Sequence, residues 1–541
     1  MKLRSSFALL FATSLLSFGA GCAPTEKAED AEAHDQDFSS REAVLLDFEF
    51  DGELVTDSAW NPKQVIQDQF LYTIGHLNFD RSVGRLDKLT LTNIQTSAVG
   101  DGTTRITYHA KMPVGWGKKL QVPATYSFKL PKVASYAGFE AFTSKYKASC
   151  VDHGAHDVDS GSMWYYFRPQ NAGCAIDAGD VVELSATVTT STENTTGKYP
   201  EYHRVWEDDE LSVVAIFGKY EDGGTTSADA GVAAYNQFIA TMRRTLGNLQ
   251  LTTEPANVPV SPGVANPDVT FRATLADGKR VVVTALLIDS VTNPGAAFGP
   301  RYNVLSANAD VIAYNGHAGL GQNVRALANM GRWQSGKYLM LFMNGCDTFA
   351  YVDGSLAQKR ATINPDDPTG TKYMDIVTNA MPAYFHSDAA ATNALITGLM
   401  STSAPKTYEE MFSSIDRSQV VLVTGEDDNV FAPGMPLGSG GGGGGGAWQG
   451  LNESGTVARA EEKRFETPEL PAGTYTFAMT GTSDADLYVR KGIAPTTELF
   501  DCRPYTGSSN ETCTVTLDAP STVHVMVRGY SASSTYALTG K

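Results

Sequence analysis

Two stretches decide the fold of this chain: residues 309–319, ADVIAYNGHAG, and residues 338–346, YLMLFMNGC. Each opens with an apolar run of strand length, which is typical of a strand buried on both faces of a parallel sheet. His317 follows the first run and Cys346 follows the second. Because ligands and catalytic groups collect at the carboxyl ends of the strands in an open parallel sheet, we expect these two side chains to meet there.

The same rhythm extends over residues 211–436, which we interpret as an α/β domain with a mostly parallel sheet and helices on both faces. Further apolar runs predict strands. The intervening segments can supply the helices. The predicted strands lie at 211–217, 280–288 and 419–424, and the predicted helices include 232–246, 324–330 and 373–384.

A thiol and an imidazole at neighbouring strand ends form a chemically competent pair. The thiolate attacks a carbonyl carbon, the imidazole shifts the proton balance and later protonates the leaving amine, and backbone N–H groups hold the oxyanion. The alternative is a buried, inert cysteine beside a histidine that makes only a local turn hydrogen bond.

This arrangement resembles the caspase-like and gingipain-like (clan CD) cysteine peptidases, in which the His follows one buried strand and the Cys follows the next. The resemblance implies a caspase-like α/β fold with His317 as base and Cys346 as nucleophile. It also implies that the backbone N–H groups of Ala318 and Cys346 hold the oxyanion. The family usually has Gly directly after the His, where this chain has Ala318.

The N-terminus predicts export. A short positive region precedes an apolar run at residues 7–18, which is too short to cross a bilayer. Small residues then lead into Cys22, which resembles the lipobox of bacterial lipoproteins, although Gly19 stands where that family prefers Leu. The resemblance implies a signal peptide at 1–21, a lipid on Cys22 and a location in the cell envelope, at the outer membrane or cell surface, with plain secretion as the alternative. Residues 22–40 are polar and acidic and predict a disordered tether.

Cysteine usage agrees with export, because disulfides persist outside the cytoplasm. The chain has six cysteines. Setting aside Cys22 and two pairs that are close in sequence leaves Cys346, and a leftover cysteine is either buried and inert or a reactive thiol. The two expected pairs are Cys150 with Cys174 and Cys502 with Cys513.

Residues 41–210 hold short alternating stretches separated by Gly, Pro, Asn and Asp, the pattern of an all-β domain such as a β-sandwich. Its role is open between a prodomain, a substrate-binding module and a structural brace. At the other end, consecutive glycines at 440–446 predict a flexible linker over 437–452.

Residues 453–541 return to short strands and carry a specific signature. Its parts are 470–475 (LPAGTY), 483–490 (SDADLYVR), 501–505 (DCRPY) and 525–530 (VMVRGY). These motifs strongly resemble the bacterial pre-peptidase C-terminal domain, a small β-sandwich appended mostly to secreted peptidases. The resemblance implies a C-terminal β-sandwich and favours a peptidase upstream.

The net charge and the remaining polar clusters limit the classes of molecule that this protein can bind. The net charge of −18 argues against nucleic acid and against adhesion to anionic lipid headgroups. Residues 152–157 (DHGAHD) could bind a transition metal and Asp484 with Asp486 could bind calcium, but a solvated loop and a solvated turn are the simpler interpretations. Asp427 and Asp428 could line a pocket for a basic side chain, or simply be solvated. We therefore predict no metal and no cofactor.

The sequence as a whole predicts an exported lipoprotein cysteine peptidase that cleaves peptide or protein substrates and meets the membrane only through its lipid anchor. The rival interpretation is a non-enzymatic envelope or surface protein, with a decayed peptidase scaffold and β modules that bind carbohydrate or protein. Burial of Cys346 away from His317 would favour the rival.

Overall fold

A computed structural model of the protein describes residues 38–438, 450–467, 470, 473–517 and 521–541. The predicted signal peptide, Cys22, most of the predicted tether and most of the glycine-rich linker lie outside the described residues. Phe38 and Ser39 form a buried strand, so the fold reaches into the range assigned to the tether. Of the helices in the described ranges, none is long and apolar enough to cross a membrane.

The N-terminal part is an antiparallel sheet packed against helices, and the all-β prediction for this part is wrong. After β1 (Phe38–Ser39), its strands are β2 (Val44–Thr56), β3 (Ser82–Gly84), β4 (Thr90–Gly100), β5 (Thr103–Trp116), β6 (Thr125–Pro131) and β7 (Val181–Thr190). Their order is β3-β5-β2-β7-β6, with β4 also paired to β5. The helices are α1 (Pro62–Asn78), α2 (Tyr136–Tyr146), α3 (Met163–Tyr166) and α4 (Tyr202–Val205).

Helix α1 has the features of a helix in its own sequence. The Asn61 side chain accepts a hydrogen bond from the backbone N–H of Gln64, and proline occupies the first turn. Ile66, Phe70, Ile74 and Leu77 recur at helical spacing and are all buried. Phe70 of α1 stacks on Phe50 of β2, with ring centroids 5.6 Å apart, so this apolar face packs on the sheet.

The central part is an open sheet of nine strands with helices on both faces. Its further strands are β8 (Glu210–Gly218), β9 (Thr252–Glu254), β10 (Asp268–Thr274), β11 (Arg280–Ile288), β12 (Val311–Asn315), β13 (Leu339–Asn344), β14 (Met374–Asn379) and β15 (Val421–Thr424). The order is β1-β15-β14-β13-β12-β8-β11-β10-β9, and the run from β14 to β11 is parallel. The helices are α5 (Ala230–Leu246), α6 (Phe298–Ser306), α7 (Gln322–Asn329), α8 (Thr348–Tyr351), α9 (Ser355–Ile363), α10 (Phe385–Leu399) and α11 (Tyr408–Met411).

Alternate residues of the central strands enter two different cores. Ile312 packs into a core that is continuous with that of the N-terminal sheet, and Ala313 packs into the core beneath α5 and α10. Burial on both faces is the physical reason for the uninterrupted apolar runs. The segment 373–384, predicted as a helix, contains β14 instead.

The C-terminal part is a β-sandwich. Its strands are β16 (Leu451–Ala458), β17 (Glu462–Glu466), β18 (Gly473–Thr482), β19 (Ala485–Lys491), β20 (Glu511–Leu517), β21 (Val523–Gly529) and β22 (Ser533–Gly540). They form two antiparallel sheets, β16-β22-β18-β20 and β17-β21-β19, that enclose one apolar core. The structure joins Cys502 to Cys513 here and Cys150 to Cys174 in the N-terminal part.

Candidate functional site

Three neighbouring parallel strands end in asparagine, and these asparagines are bonded to one another. Asn344 Nδ2 of β13 donates to Asn315 Oδ1 of β12 at 2.8 Å, and Asn379 Nδ2 of β14 donates to Asn344 Oδ1 at 3.1 Å. All three side chains are buried. Because each buried amide needs a partner, this asparagine ladder fixes where the loops after the strands begin.

Two side chains from elsewhere complete the ladder. Gln419 Nε2 donates to Asn344 Oδ1 and Thr392 Oγ1 donates to Asn315 Oδ1, each at 2.6 Å. Asn379 Nδ2 also donates to the carbonyl of Gly345, directly before Cys346, at 3.1 Å. The sequence signal for this ladder is an asparagine at the end of each of the apolar runs before His317 and Cys346, whereas the third asparagine lies in the segment 373–384 that was predicted as a helix.

His317 lies two residues beyond β12, in a loop held by its own backbone. Its carbonyl accepts hydrogen bonds from Tyr314 Oη at 2.7 Å and from Asn323 Nδ2 at 2.6 Å. The imidazole lies between the rings of Tyr220 and Phe385, with centroids 5.0 Å and 5.1 Å away, and its Nε2 is 3.3 Å from the Tyr220 carbonyl oxygen. Burial between these rings lowers the pKa of His317, so the imidazole is neutral at pH 7.

Cys346 lies two residues beyond β13, on the same edge of the sheet. Its Sγ donates to the Ala383 carbonyl at 3.4 Å. Cys346 is half-buried in the pocket wall, and the desolvation of its thiol, reinforced by the neighbouring Asp347 carboxylate, raises the pKa of the thiol to about 12. Within the described residues no hydrogen bond joins this thiol to the His317 imidazole. The thiol is therefore protonated at neutral pH, and a protonated thiol is a poor nucleophile.

The backbones of the two loops are in close contact. A side chain on Gly345 would begin 2.8 Å from the Gly316 carbonyl oxygen and 3.2 Å from the backbone nitrogen of Ala318. Glycine at 345 is thus required for the approach. The contact brings Ala318 beside the Cys346 loop, but the oxyanion role of these N–H groups stays a prediction.

His317 and Cys346 both line a pocket of about 680 Å³, a volume in the range of ligand sites. Most of its wall is aromatic or apolar, and its residues come from the N-terminal part as well as from the central sheet. The lining residues include Asp152, His156, Tyr165, Tyr166, Arg168, Tyr220, His317, Ala318, Cys346, Tyr351, Pro382, Ala383, Tyr384 and Phe385.

Beneath the pocket, the fully buried Asp347 connects the Cys346 loop to helix α1. Its Oδ1 accepts a hydrogen bond from Asn78 Nδ2 at 3.0 Å, whereas its Oδ2 has no hydrogen-bond partner in the described part of the chain. Burial raises the pKa of this carboxyl to about 7, although the guanidinium of Arg168 and the hydroxyl of Tyr165 oppose the rise.

Replacing Asp347 with Asn is expected to stabilise the protein above pH 7 and to change little at pH 4. The ordinary pKa is 3.8 and the folded value is about 7, so the folded state retains a proton that the unfolded state has lost, and stability falls between these values as the pH rises. Asparagine stays neutral, keeps the acceptor for Asn78 and tolerates the left-handed backbone at this position (φ 52°).

Urea unfolding at several pH values measures this effect. The variant is expected to gain up to about 4 kcal/mol over the parent at pH 7.5, because the pKa rises from 3.8 to about 7 and each pKa unit corresponds to about 1.4 kcal/mol. Asp101→Asn is the matched control, because Asp101 is exposed and also has a left-handed backbone (φ 49°). A gain that is the same at every pH would contradict the buried proton.

The two polar clusters that the sequence offered as a metal site and as a pocket for a basic side chain differ in their position relative to the pocket. Asp152 and His156 line the pocket, but across the described ranges no group of three or more His, Cys, Asp or Glu side chains is arranged to hold a metal. Asp427 and Asp428 are not among the pocket's lining residues. Burial and the neighbouring Asp427 raise the pKa of Asp428 to about 7.

The comparisons with known proteins bear on the C-terminal β-sandwich. The family model of the bacterial pre-peptidase C-terminal domain matches residues 465–529. The chain carries a bacterial pre-peptidase C-terminal domain. This match confirms the resemblance that the motifs in residues 453–541 indicated.

The relatives described next are named as proteases, and their likeness to this chain is confined to this domain. The Neutral protease of Vibrio proteolyticus is 46% identical over 65 residues, which are 12% of this chain and 11% of that protein. The Hemagglutinin/proteinase of Vibrio cholerae is 46% identical over 68 residues, 10% and 11% of the two chains. Alkaline serine exoprotease A of Vibrio alginolyticus is 51% identical over 51 residues, 9% and 10% of the two chains. The chain thus spans about a tenth of the length of these three relatives.

Among solved structures, the chain is similar to the one titled "Solution structure of vEP C-ter 100". It is 35% identical and covers 16% of this chain and 87% of that chain, with a TM-score of 0.14.

The prediction of a cysteine peptidase is wrong. The relatives that share the C-terminal domain include the Virulence metalloprotease of Vibrio anguillarum and the Zinc metalloprotease of Helicobacter pylori. Nothing in the comparisons supports the caspase-like and gingipain-like resemblance of the central part, or the lipoprotein signal. The raised pKa of the Cys346 thiol also argues against a cysteine peptidase, because a protonated thiol is a poor nucleophile. Nothing in the comparisons tests the assignments of His317 and Cys346 as site residues, which stay predictions.

Proposed function

We propose that this chain is an exported protein that binds peptide segments of other proteins in the aromatic pocket at the carboxyl edge of its central sheet. The observation that carries the proposal is the lining of that pocket, where the rings of Tyr166, Tyr220, Tyr384 and Phe385 surround a cleft of about 680 Å³. Rings of this kind bury large area and favour offset or edge-to-face contact with another aromatic ring. The preferred ligand is therefore a peptide that inserts an aromatic or other large apolar side chain.

Two features support a peptide as the ligand. The matched relatives are named proteases, and this chain shares with them the C-terminal domain, so a protein ligand is the natural common partner. Tyr220 and Ala383 also line the pocket, and the backbone carbonyl of each has one internal partner and a second lone pair that can accept a hydrogen bond from a peptide N–H.

The names of the relatives favour a second candidate, hydrolysis of the bound peptide. This candidate rests on the C-terminal domain alone. The structure offers it a neutral imidazole at His317, a group suited to act as a base.

We further propose that the chain is anchored through Cys22, with plain secretion as the alternative. Cys22 lies outside the described residues, and the intact mass of the mature protein decides between the two, because a lipid adduct adds hundreds of daltons to the N-terminal peptide. We also keep as proposals the domain limits predicted from the sequence, except that the fold already includes Phe38 and Ser39 at the end of the predicted tether.

Fluorescein-labelled pentapeptides Gly-Gly-X-Gly-Gly, with X as Phe, Leu, Ala or Asp, test the proposed binding by anisotropy. The Phe peptide is expected to bind roughly tenfold or more tightly than the Ala peptide, since burial of an aromatic side chain is worth about 1.5–3 kcal/mol. Phe385→Ala is expected to remove most of this preference, because Phe385 lines the pocket against His317.

Phe500→Ala is the matched control, since Phe500 is a partly exposed ring of the C-terminal domain. Equal anisotropy for all four peptides, or equal losses in both variants, would overturn the proposal. Mass spectrometry of the same mixtures after incubation tests the second candidate, for which the expected result is a cleaved pentapeptide.

A further inference from the structure

The pocket has a wall that comes from the N-terminal part of the chain. Residues 150–174, here called the wall segment, are closed into a loop by the Cys150–Cys174 disulfide. This segment lines the pocket opposite the loops of the central sheet. It contributes Asp152, Gly154, His156, Ser162, Tyr165, Tyr166 and Arg168.

The wall segment is held together at its base. The disulfide lies there, Arg168 N donates to the Cys150 carbonyl at 2.8 Å, and Asn171 Nδ2 donates to the Val151 carbonyl at 2.7 Å. Val151 and Phe167 also form an antiparallel bridge. These bonds hold the two ends of the loop together, so the position at which the loop leaves the N-terminal part is fixed.

Arg168 attaches the wall segment to the N-terminal sheet domain. Only 5% of this residue is exposed, and its Nη1 donates to the Gly75 carbonyl of α1 at 2.7 Å and to the Tyr165 carbonyl at 3.0 Å. A buried guanidinium with several carbonyl acceptors is costly to displace. Arg168 thereby ties the backbone of Tyr165, a residue of the pocket, to helix α1.

The upper part of the wall segment contacts the site loops directly. Tyr165 lines the pocket together with Cys346. The Trp164 ring meets the ring of Tyr351, with centroids 6.4 Å apart and an edge-on geometry. At the mouth, Tyr220 Oη is 3.5 Å from His156 Nε2. A ligand in the pocket thus lies between the wall segment and the central sheet.

We propose that the wall segment determines which side chain the pocket accepts, with Tyr166 as its principal contact, and that the Cys150–Cys174 disulfide keeps this wall in place. The inference rests on the proposed peptide binding. Tyr166 is the residue of choice because it lines the pocket and is half-buried, and because its ring contacts those of Tyr165 and His156 in the same segment, with centroids 5.0 Å and 6.1 Å away. Its side chain thus forms part of the surface that a ligand meets.

The disulfide makes the pocket dependent on redox conditions. Closure joins the two sulfurs and removes a hydrogen from each thiol, and a disulfide-bearing oxidant takes up both hydrogens as it is reduced to two thiols. Before the disulfide forms, no covalent bond joins the two ends of the loop. Ordering the loop in the pocket wall then costs more conformational entropy. The pocket is therefore complete only after the chain has reached an oxidising compartment.

Anisotropy with the Phe and Leu pentapeptides tests the selecting role of Tyr166. Tyr166→Ala is expected to change the ratio of the two dissociation constants by at least fivefold. Tyr136→Ala, which removes an exposed tyrosine that does not line the pocket, is expected to leave the ratio unchanged. An unchanged ratio in Tyr166→Ala would overturn the inference, whereas failure of every peptide to bind the parent protein would overturn the proposed function itself.

The double variant Cys150→Ser/Cys174→Ser tests the disulfide. Its affinity for the Phe peptide is expected to fall at least tenfold while its circular dichroism stays that of the parent. Cys502→Ser/Cys513→Ser removes the other disulfide as a matched control and is expected to bind as the parent does. Equal affinity in both double variants would overturn the role of the Cys150–Cys174 bond. If the first variant fails to fold, the Cys502→Ser/Cys513→Ser variant is measured before and after brief treatment with dithiothreitol, because Cys150–Cys174 is its remaining disulfide, and folding is followed by circular dichroism.

Discussion

Iodoacetamide is expected to alkylate Cys346 about a thousandfold more slowly than an exposed cysteine at pH 7.5. The reason is the fraction of thiolate: the pKa of Cys346 is raised to about 12, whereas an exposed cysteine has a pKa of about 8.5. Burial disfavours the charged thiolate, and the nearby Asp347 carboxylate adds repulsion. The rate for Cys346 should keep rising about tenfold per pH unit up to pH 9.5.

The comparison needs an exposed thiol in the same protein. Cys346→Ala/Ala276→Cys provides one, because Ala276 is exposed in the turn between β10 and β11. Its alkylation rate is expected to level off above about pH 9, close to the ordinary pKa of a cysteine. Rapid labelling of Cys346 at pH 6, with a plateau below pH 8, would show that the thiol is ionised and would contradict the burial argument.

The second large effect is expected for Asn344→Ala, which should lower the free energy of unfolding by about 3 kcal/mol. Asn344 bonds to Asn315, Asn379 and Gln419, and it is fully buried. Its removal leaves buried donors and acceptors short of partners, each at a cost of about 1–3 kcal/mol, and opens a small cavity. Urea unfolding measures the loss in the transition that reports the central sheet.

Asn329→Ala controls for the loss of an asparagine as such. Asn329 is exposed at the end of α7, so its replacement is expected to change the free energy of unfolding by less than about 0.5 kcal/mol. Equal effects in the two variants would mean that the asparagine ladder contributes little. A large loss for Asn344→Ala alone would show that the strand ends are held by their amide groups.

The sequence predicts the position of the two site loops but not the asparagine ladder beside them. The apolar runs before His317 and Cys346 indicate two strands, and parallel strands bring their carboxyl ends to one edge. The buried asparagines at those ends were visible but were not interpreted, since an isolated asparagine is usually a turn residue. Only the register of β12 against β13, which sets Asn315 opposite Asn344, reveals that the amides meet.

One error in the secondary structure has a clear physical cause. The segment at 373–384 has apolar residues at spacings that fit a helix, yet it contains β14, whose burial between β13 and β15 overrides the local pattern. Here the energy of tertiary burial exceeds the small differences in local propensity. Helix α1 differs, because its cap and the helical spacing of its buried apolar residues are both present in the sequence.

The sequence by itself determined what depends on local order: the buried strands, the strand-end positions of His317 and Cys346, and the C-terminal domain with its specific motifs. The tertiary structure alone decided the properties that depend on distant parts of the chain. It set the protonation of Cys346, which follows from burial beside Asp347, and it placed the wall segment across the pocket from residues about 150 positions later in the chain. Solvation and proximity are set by what packs around a group, and a linear pattern does not contain that information.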